Sequence, residues 1–143
     1  MSVNNRFRRV VLGITALIGI YVGFWAEVFP RDFYTSFPGF GLHWVSMDGA
    51  YDEHLIRDVG SLYLALAAIS VAAIFARTAA QGRTAGLAWT VFGILHFAYH
   101  LAHLDGSAVD KIGNVVTLGG GAVLGIILLF PPRIPDTAKQ AVR

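Results

Sequence analysis

At 143 residues, 55% of them hydrophobic and only 14% charged, the chain has room for one domain and is too apolar for an ordinary soluble one. A net charge of +2 and a pI near 9.2 do not indicate nucleic acid as a partner, because the basic residues form no patch interleaved with aromatics. With no cysteine in the chain, disulfides, thiolate metal sites, iron–sulfur clusters and cysteine nucleophiles are excluded.

Residues 1–9 are polar and place Arg6, Arg8 and Arg9 ahead of an apolar run at 10–28. About 19 residues suffice to cross a hydrocarbon core of ~30 Å. The run is longer than a signal-peptide core of about 7–15 residues and no small-x-small cleavage site follows, so it reads as a retained first span. Thr15, Gly19, Gly23 and Glu27 recur every four residues, forming a small-residue face that ends at a carboxylate. Such a face suits close helix packing. Glu27 either points into the protein with that face or reaches the interface beside Trp25.

Pro30 ends the span. The outer loop 30–51 carries Phe33, Tyr34, Phe37, Phe40, Trp44 and Tyr51, interrupted by Pro38-Gly39 and Gly41. Aromatics at this density fit the headgroup zone, lying on the membrane or lidding the bundle. Asp48 or Asp52 caps a second span at 52–76, whose first turns, Glu53-His54-Leu55-Ile56-Arg57-Asp58, hold the densest charge in the chain. Helical phase puts His54, Asp58, Ser61, Ala65, Ala68 and Ala72 on one face, and Glu53 with Arg57 forms an i,i+4 pair.

A short basic loop at 77–84 leads to the third span, 85–104. At about 100° per residue, His96, His100 and His103 fall within about 60° of one another, with Gly93, Trp89 and Gly86 farther down the same face. An ionisable stripe inside a span is costly and marks a candidate functional site. Asp105-Gly106 makes a turn and Ser107 to Asp110 fits a capping box. The fourth span, 108–130, spaces Gly113, Thr117, Gly121 and Gly125 by four, with Asn114 beside them. Gly119-Gly120-Gly121 lies inside an apolar run and reads as a packing surface, not a phosphate loop. Pro131-Pro132 stops the span, and 131–143 reads as a polar, disordered tail.

These elements predict an all-α fold, a four-transmembrane-helix antiparallel bundle. Eight basic residues (Arg6, Arg8, Arg9, Arg77, Arg83, Arg133, Lys139 and Arg143) fall on one side, against Arg31, Arg57 and Lys111 on the other. The positive-inside rule then places both termini in the cytoplasm. Each span turns polar toward its outer end. Convergence of those faces predicts an outward-facing pocket formed by Glu27, His54, Arg57, Asp58, His96, His100, His103 and Asn114.

The one-turn spacing His96-x3-His100 allows a shared divalent metal, with Asp58 or Glu27 as the completing carboxylate. His96 and His103 are about 10 Å apart along the axis, too far for one ion to take all three imidazoles. The residues between His96 and His100 lack the glutamate of a zincin, so metalloprotease chemistry is not supported. Haem ligation by His96 or His100 with His54 is geometrically allowed and is the weakest of the cofactor readings.

Phe33-Tyr34 with Phe37-Pro38-Gly39, the run Glu53 to Gly60, and His96-x3-His100-x2-His103 together resemble a group of small four-span bacterial membrane proteins. These are especially actinobacterial and broadly similar to DoxX-like proteins. The resemblance spans nearly the whole chain. It implies a four-helix fold in the bacterial cytoplasmic membrane, and it brings no established activity and no catalytic residue. Two functions follow as expectations: a pocket for a small ligand or divalent metal, or a non-catalytic accessory subunit whose polar cluster is a helix-packing network. Its partners would be the lipid bilayer and either further copies of the chain or a membrane complex, not nucleic acid. A membrane oxidoreductase is a third reading, and no cofactor motif supports it.

Overall fold

The structure, a computed structural model, describes residues 3–131, so the tail beyond Pro131 lies outside the described residues. Helix α1 (Arg6–Val28) starts where Asn5 accepts a hydrogen bond from the Arg8 amide at 2.9 Å. It therefore takes in the three arginines that hydropathy assigns to a polar leader. Hydropathy reports solvation, whereas the helix follows its cap and the good helix propensity of arginine. A short α2 (Pro30–Ser36) starts with proline at its first position. The two-residue strands β1 (Pro38–Gly39) and β2 (Leu42–His43) pair antiparallel, and α3 (Trp44–Met47) follows. Gly39 and Gly41, at φ 92° and 78°, supply the left-handed conformations that this tight hairpin needs.

Helix α4 (Glu53–Phe75) is capped by Asp52, which accepts from the Leu55 amide. Helix α5 (Ala79–Ala102) begins six residues before the expected span. The stretch read as a basic loop is instead its first turns, because Ala79, Ala80, Gln81 and Arg83 favour helix and only Ala76–Thr78 break it. Helix α6 (Ala108–Leu129) opens with a complete capping box between Ser107 and Asp110. All four long helices are long and apolar enough to cross a membrane.

Two antiparallel pairs make the bundle. In the first, the α1 face predicted from Thr15, Gly19 and Gly23 meets α4 at Ser70, Ala67 and Gly60. A Cβ on Gly23 or Gly60 would lie within 2.8 Å of the facing backbone, so glycine is what lets these helices approach. In the second pair, Gly86 and Gly93 of α5 meet Leu128 and Ala122 of α6, and Gly125 abuts Thr90. The pairs join at a buried hydrogen-bond knot in which Trp89 Nε1 donates to Ser70 Oγ at 2.9 Å and Thr15 Oγ1 lies 3.2 Å from the same oxygen. At one end of the bundle, Arg8 is buried and donates to the Leu128 and Phe130 carbonyls at 2.7 Å each. Beside it, Asn4 donates to the Ala73 and Ala76 carbonyls.

Helix α4 is turned away from the predicted phase. His54, Asp58, Ser61, Ala65, Ala68 and Ala72 are all exposed, and the buried face is Ile56, Gly60, Tyr63, Ala67 and Ser70. Both faces carry small residues. Burial goes to the one that also holds bulky Tyr63 and Leu66 and the glycine that contacts α1.

Candidate functional site

A chamber of about 690 Å³ lies between the two helix pairs, in the half of the bundle away from Arg8. This is within the ~300–1,000 Å³ typical of small-molecule sites. Its deep end is apolar, with Trp89 and Phe92 of α5, Leu124 of α6 and Ile18 of α1 among its walls. His96, His100, Asn114, Thr117, Asp48 and Asp52 line the opposite end.

The 30–51 segment forms the cover. Phe33, Tyr34, Phe37 and Trp44 line the chamber, and Phe33 packs in a cluster with Ala26 and Ile56. Three hydrogen bonds hold the cover down. Tyr21 Oη donates to the Pro38 carbonyl at 3.0 Å, Trp25 Nε1 to Asp32 Oδ2 at 2.6 Å, and Trp44 Nε1 to Asp110 Oδ1 at 3.1 Å. The Trp44 ring occupies the position that a Cβ on Gly113 would take, so Gly113 serves as the seat for the cover.

Of the three histidines, two share the chamber. The His96 and His100 rings are edge-on at 4.7 Å, and His96 stacks on Phe92 at 5.0 Å. His100 Nδ1 lies 3.6 Å from Asp48 Oδ2, tying the cover to α5. Among the described residues, neither nitrogen of His96 has a hydrogen-bond partner. Burial pushes the Asp48 carboxyl above the ordinary aspartate range, the nearby Asp105 adds to this, and His100 and His103 act in the opposite direction. His103 departs from the stripe because α5 ends at Ala102. As the C-cap, with φ −128°, His103 leaves helical phase, stacks on Tyr99 at 4.4 Å and approaches the Tyr99 carbonyl through Nδ1.

Of the remaining predicted site residues, all but Asn114 lie elsewhere. His54 Nδ1 and Asp58 Oδ2 are 2.9 Å apart in an exposed pair on α4, away from the chamber. Arg57 bonds Glu53 Oε1 at 2.9 Å and the Glu27 carbonyl, and it lies 3.8 Å from Glu27 Oε1. Glu27 thus joins an α1–α4 tie and is not among the chamber's lining residues. Asn114 lines the chamber, with its Nδ2 given to the Asp110 carbonyl. The metal set His96, His100 and Asp58 is not assembled. Asp58 is on another face, and among the described residues no three His, Asp or Glu side chains are grouped to hold an ion.

Gly120 and Gly121 depart from their expected packing role. A Cβ on either would meet nothing within 4 Å, and both line the chamber. Asp48 and Tyr63, which both line the chamber, are the site residues that sequence reasoning missed, whereas Trp44 stands in the lid that its aromatic segment allowed. Asp48 was visible only as a potential cap, and its pairing with His100 follows from the cover folding across α5. No protein-family model, curated protein or solved structure matches this chain.

Proposed function

We propose that this chain is a multi-pass protein of the bacterial cytoplasmic membrane that binds a small organic ligand in the covered chamber. Both termini face the cytoplasm and the cover faces outward. Arg6, Arg9, Arg77 and Arg83 at the end opposite the cover support this orientation through the positive-inside rule, and the DoxX-like resemblance supports the choice of membrane.

The observation that carries the binding reading is the His96 imidazole. It lines a roomy, mainly apolar chamber, with no protein partner among the described residues and with one donor and one acceptor to offer. A polar group in apolar surroundings is expected to find a hydrogen bond. The neighbouring groups are already engaged: His100 faces Asp48, and Asp52 caps α4. An organic ligand fits better than a divalent ion, because among the described residues no three His, Asp or Glu side chains are grouped to hold one.

Native mass spectrometry and elemental analysis of the protein released from its own membrane test this. Wild type is expected to carry a near-stoichiometric organic adduct that His96→Ala strips away without unfolding the bundle. Wild type at bare mass would refute the reading, and a metal lost in the variant would replace it with the metal-site alternative.

A second reading, the accessory subunit, is favoured by the exposed Ser61, Ala65, Ala68 and Ala72 face of α4. Small residues on an outward helix face suit another helix better than lipid. The partner would be a second copy or another membrane subunit, and crosslinking through Ala65→Cys tests it.

A further inference from the structure

The ligand class can be narrowed from the distribution of polarity along the chamber, an inference that rests on the binding reading above. Along α6 the walls run from Asn114 at the covered end to Leu124 at the deep end, and along α5 from His100 to Trp89. Ten or eleven residues of helix correspond to about 15 Å of depth. Apart from Tyr63, which packs on Phe92 and Trp89, the polar side chains along these helices are gathered in the first third of that distance. Below them Phe92, Trp89, Leu124 and Ile18 form the apolar remainder. Gly120 and Gly121 widen it where any other residue would project a side chain into open space.

The polar end also discriminates by charge. Among the described residues no lysine or arginine lines the chamber, and Asp48 and Asp52 stand at its covered end, so an anionic head would be buried without a counter-charge. A cationic head would find Asp48 already facing His100, and Asp52 already accepting from the Leu55 amide. Among the described residues the Tyr63 hydroxyl is unengaged deeper in the chamber, and at its covered end so are the His96 imidazole, a donor and an acceptor, and the Asn114 side-chain oxygen, an acceptor. A hydroxyl matches this pair, donating to one group while accepting from the other.

We propose that the chamber holds a single-chain amphiphile with an uncharged hydroxyl head, the head between His96 and Asn114 and the tail running past Gly120 and Gly121 toward Trp89. Its orientation is that of an outer-leaflet lipid, head outward and tail toward the bilayer centre. A bulky two-chain lipid is not the occupant proposed, since Trp89, bonded to Ser70, ties the two helix pairs together at the apolar end.

The test uses the full chain in phosphatidylcholine nanodiscs with a long-chain primary alcohol bearing a diazirine near its tail end. A carboxylic acid of the same chain and a diazirine-bearing phosphatidylcholine are the comparison probes. After irradiation and peptide mapping, the alcohol is expected to label the walls near Trp89–Phe92 and Gly120–Leu124. Gly121→Leu should cut that labelling about tenfold, the factor that follows from losing ~1.4 kcal/mol of binding. Gly120→Leu serves equally should Gly121→Leu fail to fold, since both positions open onto the same space.

Equal or stronger labelling of the deep walls by the acid or the phosphatidylcholine would overturn the hydroxyl, single-chain assignment. Labelling restricted to outward residues such as Leu17 and Phe24, and unchanged in Gly121→Leu, would mean simple partition into the bilayer and would also overturn it. In either case an organic adduct retained by wild type in native mass spectrometry leaves the binding reading standing, whereas its absence removes both.

Discussion

Arg8 offers the sharpest test of how this bundle is held together at the end away from the chamber. It is 3% exposed, and its guanidinium spans from α1 to the last turn of α6. The final carbonyls of a helix have no intrahelical donors and carry the negative end of its dipole, so a buried guanidinium is suited to the position. Its three hydrogen bonds are not equal. The Leu128 carbonyl belongs to a residue with no exposure, and its 2.7 Å bond counts in full at about 1.5–3 kcal/mol for a charged donor. The Phe130 carbonyl belongs to an exposed residue that water can serve, and the 3.4 Å contact to Ala79 is long, so these two add ~0.5 kcal/mol at most. Removing the charge also relieves the burial of Nε, which has no partner, so the net falls toward the lower end of the range.

Arg8→Met, which keeps the packing of the stem, is therefore expected to lose about 2 kcal/mol. Arg8→Lys keeps a charge at the α6 C-terminus without the fork, and should lose about half of that. Arg6→Ala and Arg9→Ala, both at exposed positions, should stay within about 0.5 kcal/mol of wild type. The assay is reversible unfolding in mixed lipid–detergent micelles on titration with dodecyl sulfate, followed by the fluorescence of buried Trp89. If Arg8→Met unfolds with wild type, or if Arg9→Ala costs as much as Arg8→Met, the capping argument is wrong.

Two further predictions concern glycine and pH. Gly60→Ala should destabilise by about 1–3 kcal/mol, since its Cβ would lie 2.7 Å from the Glu27 amide nitrogen, whereas Gly120→Ala should be neutral or stabilising by up to ~1 kcal/mol through helix propensity. The same unfolding assay decides, and equal effects would refute the close approach of α1 and α4. At Asp48 the folded protein holds the proton more tightly than the unfolded chain does, because burial raises the carboxyl. That contribution is full below the ordinary aspartate value of about 3.9 and is lost as pH rises through the raised folded value. Asp48→Asn, which mimics the protonated form, should thus melt above wild type at pH 7 and converge with it in acid. A lower melting temperature at pH 7 would mean that attraction to His100 outweighs burial.

The four helices, their caps at Asp52 and Ser107, and the close face of α1 were legible because each is a local signal. Period, cap chemistry and small-residue spacing act within a few turns of chain. The same signals misassign α4, where Gly60, Ala67 and Ser70 compete with Ser61, Ala65 and Ala68 for the interior. Spacing cannot choose between two small faces set apart on one helix. Tertiary packing can, because only one of them also brings Tyr63 and Leu66 inward. His103 fails for a different reason: the wheel assumes a helix that has already ended. Asp48 was beyond reach because no periodicity runs through the cover, and its approach to His100 depends on Trp44 seating against Gly113.

The outcome is a division of the polar residues that no helical wheel could draw. His54, Asp58, Glu53, Arg57 and Glu27 stand in neighbouring pairs at the covered end of α1 and α4, with Glu27 Oε2 left as a buried oxygen without a partner among the described residues. His96 and Asn114 are held apart from these pairs by the turned face of α4, and they line the mainly apolar chamber. A network of exposed ion pairs and an unpartnered pair at a chamber make different demands. The first tolerates substitution with modest loss, since exposed ion pairs contribute little. The second is retained against the cost of an unpaired polar group in apolar surroundings, a cost that a bound hydroxyl would remove. Whatever this protein does in the membrane, the chemistry to follow is at His96 and not at the more conspicuous charges of Glu53 to Asp58.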